Sequence, residues 1–362
     1  MDNVSRYGFI NAKLRARIGQ MNDHSMLEKM IKAPTLLEAI SALKGTQYED
    51  CLTVYEETGD LQRVELCLFK LEVEQYKTIN RLLDPKLNDF ISILLQKLEI
   101  ENLKGVIRLW YAASVRHHAI SYRSGYVHTE KIVNPVDYLL ILNASSYDDF
   151  ERAFENTPYY EVVKQYSLER FAKEGLFHFE TALDRLWYST LFNEITAMEK
   201  SDKEVALKIY DVDIDLKNIL QFLRYHLFFS CDNETVLSTM FPYGSLYQKF
   251  EVAFDKDVNV DETILNIIKL SYPKVATFVE ELLAKKDENS FINLAQDTLE
   301  VENYLALSRK NAFTKILTSD PFTIGILLAY FFLSKREIGA IKAILSAKYY
   351  NRDEMEIREE LV

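Results

Sequence analysis

The residues able to do chemistry in this 362-residue chain are scattered, and their spacing argues against a catalytic centre. The run Asp211-Val212-Asp213-Ile214-Asp215 offers alternating carboxylates of the kind that hold a cation, but it lacks the Gly and terminal Glu of a calcium loop. It leads into Leu216, Ile219 and Leu223, so the expectation is a helix start, where acids favour the positive end of the helix dipole. In Asp148-Asp149-Phe150-Glu151 the third acid falls one residue too early for a D-D-x-x-D metal motif. His117 and His118 are neighbours on an expected helix and point about 100° apart, which is poor geometry for one metal. His24, His128, His178 and His226 belong to no recognised His, Cys and carboxylate metal motif and read as structural or surface residues. Cys51, Cys67 and Cys231 are odd in number and form no C-x-x-C pair, so they read as buried thiols of a reducing compartment. The chain carries no G-x-x-x-x-G-K-[ST], G-x-G-x-x-G or H-E-x-x-H motif, and ten glycines leave little material for a phosphate cradle. The expectation is no catalytic residue, no cofactor and no metal.

What remains is cationic. Lys13, Arg15 and Arg17 form a local positive patch on an N-terminal helix of an acidic chain, and Arg108 and Arg224 are equivalent by an internal repeat. Such side chains make charge-assisted hydrogen bonds to a partner's carboxylates, so these five are the candidate partner-binding residues. A solvated helix face and ion pairs within their own domain are the alternatives.

The elements that position them are helices throughout. Phe90, Ile91, Leu94, Leu95 and Leu98 recur at i, i+3, i+4 and i+7, one apolar stripe on a helix, and most segments repeat that pattern. Asp84-Pro85, Asn134-Pro135, Thr157-Pro158 and Asp320-Pro321 each place a capping side chain before a residue whose fixed φ suits a first helical turn. No Asn-Gly or Asp-Gly is present to seed a hairpin of strands. The apolar run Phe322 to Leu333 is too short to span a membrane and reads as a buried helix. The N-terminal MDNVSRYGFINAKLRAR has no apolar signal core, so secretion is not expected. With 48% hydrophobic residues the chain can bury a large core. Its net charge of −12 makes nucleic acid and anionic lipid poor partners and leaves proteins as the expected ones.

An internal repeat organises these helices. Glu99-Ile100-Glu101-Asn102-Leu103 through Arg108 lies over Asp215-Leu216-Lys217-Asn218-Ile219 through Arg224, matching the acid, the Asn, the apolar positions and the Arg at a shift of 116 residues. Glu337-Ile338 through Ser346 keeps the acid and the apolar positions 122 residues further on, with Ala340 at the position of the Asn. Thr35 through Tyr48 lies over Ser146 through Tyr159, each opening on a capping box, and a weaker copy begins at Ser245. Three related units follow, taken as 1–128, 129–230 and 231–362. A period this long is not that of a short solenoid repeat.

The opening Tyr7-Gly8-Phe9-Ile10-Asn11-Ala12-Lys13-Leu14-Arg15-Ala16-Arg17, the repeated acid-x-x-Asn-apolar element and the ending Arg336-Glu337-Ile338 through Leu361-Val362 resemble the C subunit of the archaeal and bacterial V/A-type ATPases, whose eukaryotic counterpart is the d subunit. The resemblance implies an all-α funnel of three similar helical domains around a pseudo-threefold axis. It also implies a non-catalytic central-stalk role. The funnel would receive the end of the central axle, built from D- and F-type subunits, and rest on the proteolipid ring at the cytoplasmic face of the membrane. There it would pass torque for ATP-driven H+ or Na+ transport, or for ATP synthesis in reverse. The alternatives are a helical repeat scaffold unrelated to ion pumping, with an open superhelix, and an all-α enzyme, which requires a buried carboxylate cluster or a His with an acid partner.

Overall fold

The computed structural model describes residues 3–21, 25–118, 124–255, 259–287, 299–319 and 322–360. Within them every regular element is helical, as the sequence pattern predicts. By contacts the chain forms two compact units, one of Met1–Leu191 with Ile326–Val362 and one of Phe192–Gly325.

The first unit begins with α1 (Asn3–Met21), α2 (Ser25–Lys32) and α3 (Leu36–Ser41). An antiparallel pair follows, α4 (Glu49–Thr58) and α5 (Leu61–Asn80). The pair turns at Gly59, whose φ of 62° is left-handed and whose N–H closes α4 on the Tyr55 carbonyl, while the Asp60 side chain caps α5. Next comes α6 (Pro85–Ser114), started as expected by Asp84 and Pro85. Its stripe Phe90, Ile91, Leu94, Leu95 and Leu98 is buried, worth about 1.5–3 kcal/mol per large apolar side chain. Short helices α7 (Tyr138–Asn143), α8 (Tyr147–Arg152), α9 (Tyr160–Val163) and α10 (Leu168–Glu174) precede the longer α11 (Phe177–Ala197). Thr35 and Ser146 cap α3 and α8 by accepting the N–H three residues on, as their capping boxes predict.

The second unit holds α12 (Lys200–Gln221), a π-helical turn at Phe222–Phe228, α13 (Asn233–Thr239), α14 (Tyr247–Asp255), α15 (Val260–Ser271), α16 (Pro273–Asp287) and α17 (Leu299–Ser319). Its core runs from Leu216, Ile219 and Phe222 to Val275, Val279 and Val301. The chain then returns to the first unit through α18 (Gly325–Tyr349) and α19 (Glu354–Glu360). There Ile338, Ile341, Ile344, Leu345 and Ile357 share one core with Met30, Ile40, Leu43, Tyr48, Cys51 and Leu68, more than 250 residues away in sequence. The expected buried helix is borne out, with Ile326 to Phe331 all buried.

Several local expectations are corrected. Asn134-Pro135 starts no helix; α7 is capped by Asp137, and Asn134 is held by a buried carboxylate instead. Thr157-Pro158 lies in the turn before α9 rather than at its cap. Asp320-Pro321 and His24 lie outside the described residues. Asp211, Asp213 and Asp215 sit inside α12, more than two turns past its start, because Asp213 pairs with Lys217 and Asp215 is engaged by another part of the unit. His117 lies beyond α6 in left-handed backbone, with φ of 56°.

Candidate functional site

The aligned repeat acids turn out to be three versions of one clamp. On α6, Glu99 is 0% exposed and accepts four hydrogen bonds: Val133 N–H at 2.6 Å, Asn134 N–H at 2.7 Å, the Asn134 side-chain amide at 2.7 Å and the Tyr159 hydroxyl at 2.7 Å. On α12, Asp215 is also 0% exposed and accepts from the Leu246 N–H at 2.9 Å, the Ser245 hydroxyl at 2.5 Å and the Tyr272 hydroxyl at 2.8 Å. On α18, Glu337 is half-buried and accepts from the Tyr48 hydroxyl at 2.6 Å and the Gln47 amide at 3.3 Å. A tyrosine hydroxyl onto the repeat acid is common to all three. Burial first, and then the adjacent carboxylate, push the phenols of Tyr48, Tyr159 and Tyr272 far above the ordinary tyrosine range.

The repeat Asn has the same local task in two copies. Asn102 exchanges a pair of hydrogen bonds with the backbone of His128, and Asn218 does so with the backbone of Phe241. Ala340 in the third copy has no side chain for this. The acid-bearing helices also end alike: a non-glycine residue with left-handed φ follows each, His117 at 56°, Ser230 at 51° and Asn351 at 56°. Each is stabilised by a long-loop backbone bond, from His118 to Ala112, Cys231 to Tyr225 and Arg352 to Ala347.

The five predicted cationic residues have varied surroundings. Lys13 and Arg17 lie one turn apart on α1, Lys13 at 6.0 Å from the Phe9 ring and Arg17 at 5.9 Å from the Tyr330 ring with a 3.4 Å bond to its hydroxyl. Arg15 is exposed and donates to Asn11 at 3.1 Å. Arg17 also edges a cavity of about 320 Å³ lined by Gln20, Met21, Tyr48 and Glu337, where the third clamp closes. Arg108 makes a two-pronged pair with Glu180 at 2.7 and 2.6 Å, and the adjoining Asp184 holds Lys97 and Lys104. Arg224 lies in the second unit, in the π-helical turn, where its charge favours ionisation of the Tyr225 phenol against burial.

That π-helical turn was not foreseen, although such turns often mark functional sites. It carries His226, whose Nε2 lies 2.6 Å from Asp261 and whose ring stacks on Phe222, and it ends on the exposed Phe228 and Phe229. The acid partner of His226 lies 35 residues away, beyond any motif spacing. A cavity of about 390 Å³ in the first unit is lined by Glu65, Phe69, Glu101, Tyr126 and His128. His128 is 4% exposed, its ring nitrogens have no protein hydrogen-bond partner, and burial pushes its imidazole below the ordinary range. Among the described residues no group of three or more His, Cys, Asp or Glu could hold a metal ion. The two fully buried carboxylates among the described residues, Glu99 and Asp215, are engaged in holding distant segments to their helices.

The fold and the site define an all-helical repeat protein whose repeated acids join one helix to a distant segment. Comparison with known families gives that class a name: residues 10–360 match the ATP synthase (C/AC39) subunit family, and the chain belongs to it. It is 20% identical to the C subunit of the A-type ATP synthase of Methanocaldococcus jannaschii, over 99% of this chain and 87% of that protein. It is 22% identical to the corresponding A-type protein of Methanococcoides burtonii, over 99% and 94%, and 23% identical to that of Thermococcus gammatolerans, over 93% and 85%. No described helix is long and apolar enough to cross a membrane.

Proposed function

We propose that the chain is the non-catalytic central-stalk coupling of a rotary V/A-type ATPase, a socket that joins the axle of D- and F-type subunits to the proteolipid ring on the cytoplasmic face of the membrane. Three similar helical units, 1–128, 129–230 and 231–362, surround a pseudo-threefold axis and pass torque for H+ or Na+ transport or for ATP synthesis. The observation that carries this reading is the repeated clamp. Glu99 reaches Tyr159, Asp215 reaches Tyr272 and Glu337 reaches back to Tyr48. Each bond therefore joins one expected unit to the next, and the last returns to the first. Bonds that tie each expected unit to another suit a part that must carry torque, and they support the coupling over a scaffold of independent repeats.

Lys13, Arg15 and Arg17, with Arg108 and Arg224, supply positive charge for acidic groups of the axle. Because Arg108 already holds Glu180 and Arg15 already donates to Asn11, each exchanges that partner to bind the axle. The test is co-sedimentation of the purified chain with axle proteins and, separately, with ring-bearing membranes. Binding to both is expected, and Arg15→Glu with Arg17→Glu lowers axle binding only. Association with neither partner overturns the reading.

A further inference from the structure

The α4–α5 hairpin places two thiols face to face. Cys51 and Cys67 each stand eight residues from Gly59, where the antiparallel pair turns, so they lie at the same height on facing helices. Both belong to one apolar cluster, Cys51 fully buried within it and Cys67 half-buried against it. The two thiols are near enough to shift one another's ionisation, and both are free. The pair is asymmetric in burial, Cys67 being the more exposed: its neighbour Cys51 holds the Cys67 thiol below the ordinary range, while Cys67 and burial push Cys51 up. Burial and the Asp50 carboxylate oppose this shift of Cys67, and Lys70, one turn along α5, adds to it. A more accessible, more acidic thiol backed by a buried one is the arrangement of an attacking and a resolving cysteine.

We propose that Cys51 and Cys67 form a redox-modifiable dithiol, which a hydroperoxide oxidises to an intrachain disulfide joining α4 to α5. The Cys67 thiolate attacks one peroxide oxygen; the O–O bond breaks, the leaving hydroxide takes a proton to become water, and Cys67 becomes a sulfenic acid. Cys51 then loses its proton and attacks the Cys67 sulfur. The S–S bond forms, the S–O bond breaks, and the second oxygen leaves as water. Two thiols and one hydrogen peroxide thus give one disulfide and two waters, the two electrons passing from sulfur to peroxide. The bridge lies one turn from Tyr48, whose hydroxyl holds Glu337, so oxidation fixes the hairpin that carries the third clamp.

The test treats the folded full-length chain with one equivalent of hydrogen peroxide, alkylates remaining thiols and maps peptides without reduction. The expected product is a Cys51–Cys67 linked peptide two hydrogens lighter than the thiol pair, restored by dithiothreitol, with Cys231 still alkylated. In Cys51→Ala the bridge cannot form, and Cys67 is instead trapped as a sulfenic acid by dimedone. The proposal is overturned if Cys51 remains alkylatable while Cys67 passes to sulfinic acid, if the product is an interchain dimer, or if Cys231 is consumed as fast as Cys67.

Discussion

Replacing Glu99 with Ala tests whether the repeat acids hold the fold together. The side chain is 0% exposed and four donors converge on it. Two are backbone N–H groups, of Val133 and Asn134, which cannot turn away once the carboxylate is gone. An orphaned buried donor costs roughly 1–3 kcal/mol, and the Asn134 amide and Tyr159 hydroxyl can reorient at smaller cost, so the expected loss is about 4–5 kcal/mol. Tyr159→Phe removes one donor and leaves the carboxylate three others, for an expected loss of about 1–2 kcal/mol. The assay is urea unfolding followed by circular dichroism, paired with amide hydrogen exchange. A chain of two compact units need not unfold in one step, and exchange reports on the clamp itself. Exchange at Val133 and Asn134 accelerates about a thousandfold in Glu99→Ala if some 4 kcal/mol is lost. A loss below about 1 kcal/mol with those two amides still protected refutes the reasoning.

Asp211 supplies a pH-dependent prediction: burial, and then Asp215, raise its carboxyl to about 6. The folded value lies above the unfolded one, so the protonated form favours the fold, and that stability is lost as pH rises through about 6. Discounted for its partial exposure, Asp211→Asn gains about 1 kcal/mol over wild type at pH 7.5 and little at pH 4.5, read as a difference in urea midpoints. Asp184 has the opposite sign, since Lys97 and Lys104 hold its carboxyl below the usual range against burial. Its contribution is present above the unfolded value and fades as pH falls through the folded one, so Asp184→Asn loses stability at pH 7 and converges on wild type in acid. Gly244 has φ of 85°, and a Cβ there would collide with the Asp215 carboxylate. Gly244→Ala therefore costs roughly 2 kcal/mol or more by thermal unfolding. Ile341→Ala, at a fully buried site joining the C-terminal helix to the N-terminal core, costs about 2–5 kcal/mol in the same measurement.

The helices and their stripes were legible because periodicity and capping act within a few residues, as on α6 and at Thr35 and Ser146. Alignment of the repeat also found Glu99, Asp215 and Glu337, but not their task. The tyrosine partners lie 60, 57 and 289 residues away, and no local pattern encodes a contact that distant. The same limit hid the pairing of Arg108 with Glu180 and of His226 with Asp261. The acids of 211–215 misled for a related reason. Glu199 precedes α12 without a side-chain cap, so the true start gave no signal, while the acids imitated one. Asn134 before a proline imitated a cap as well, yet Glu99 held it through a tertiary contact that outweighed the local preference.

The central claim is that this chain couples axle to ring. The most direct measurement follows ATP hydrolysis and ATP-driven ion uptake together in membrane vesicles with the chain present, removed and restored. Coupling predicts that removal abolishes uptake while hydrolysis by the catalytic head survives, largely released from the membrane, and that adding the chain back restores uptake. Uptake and hydrolysis both unchanged by removal would contradict it.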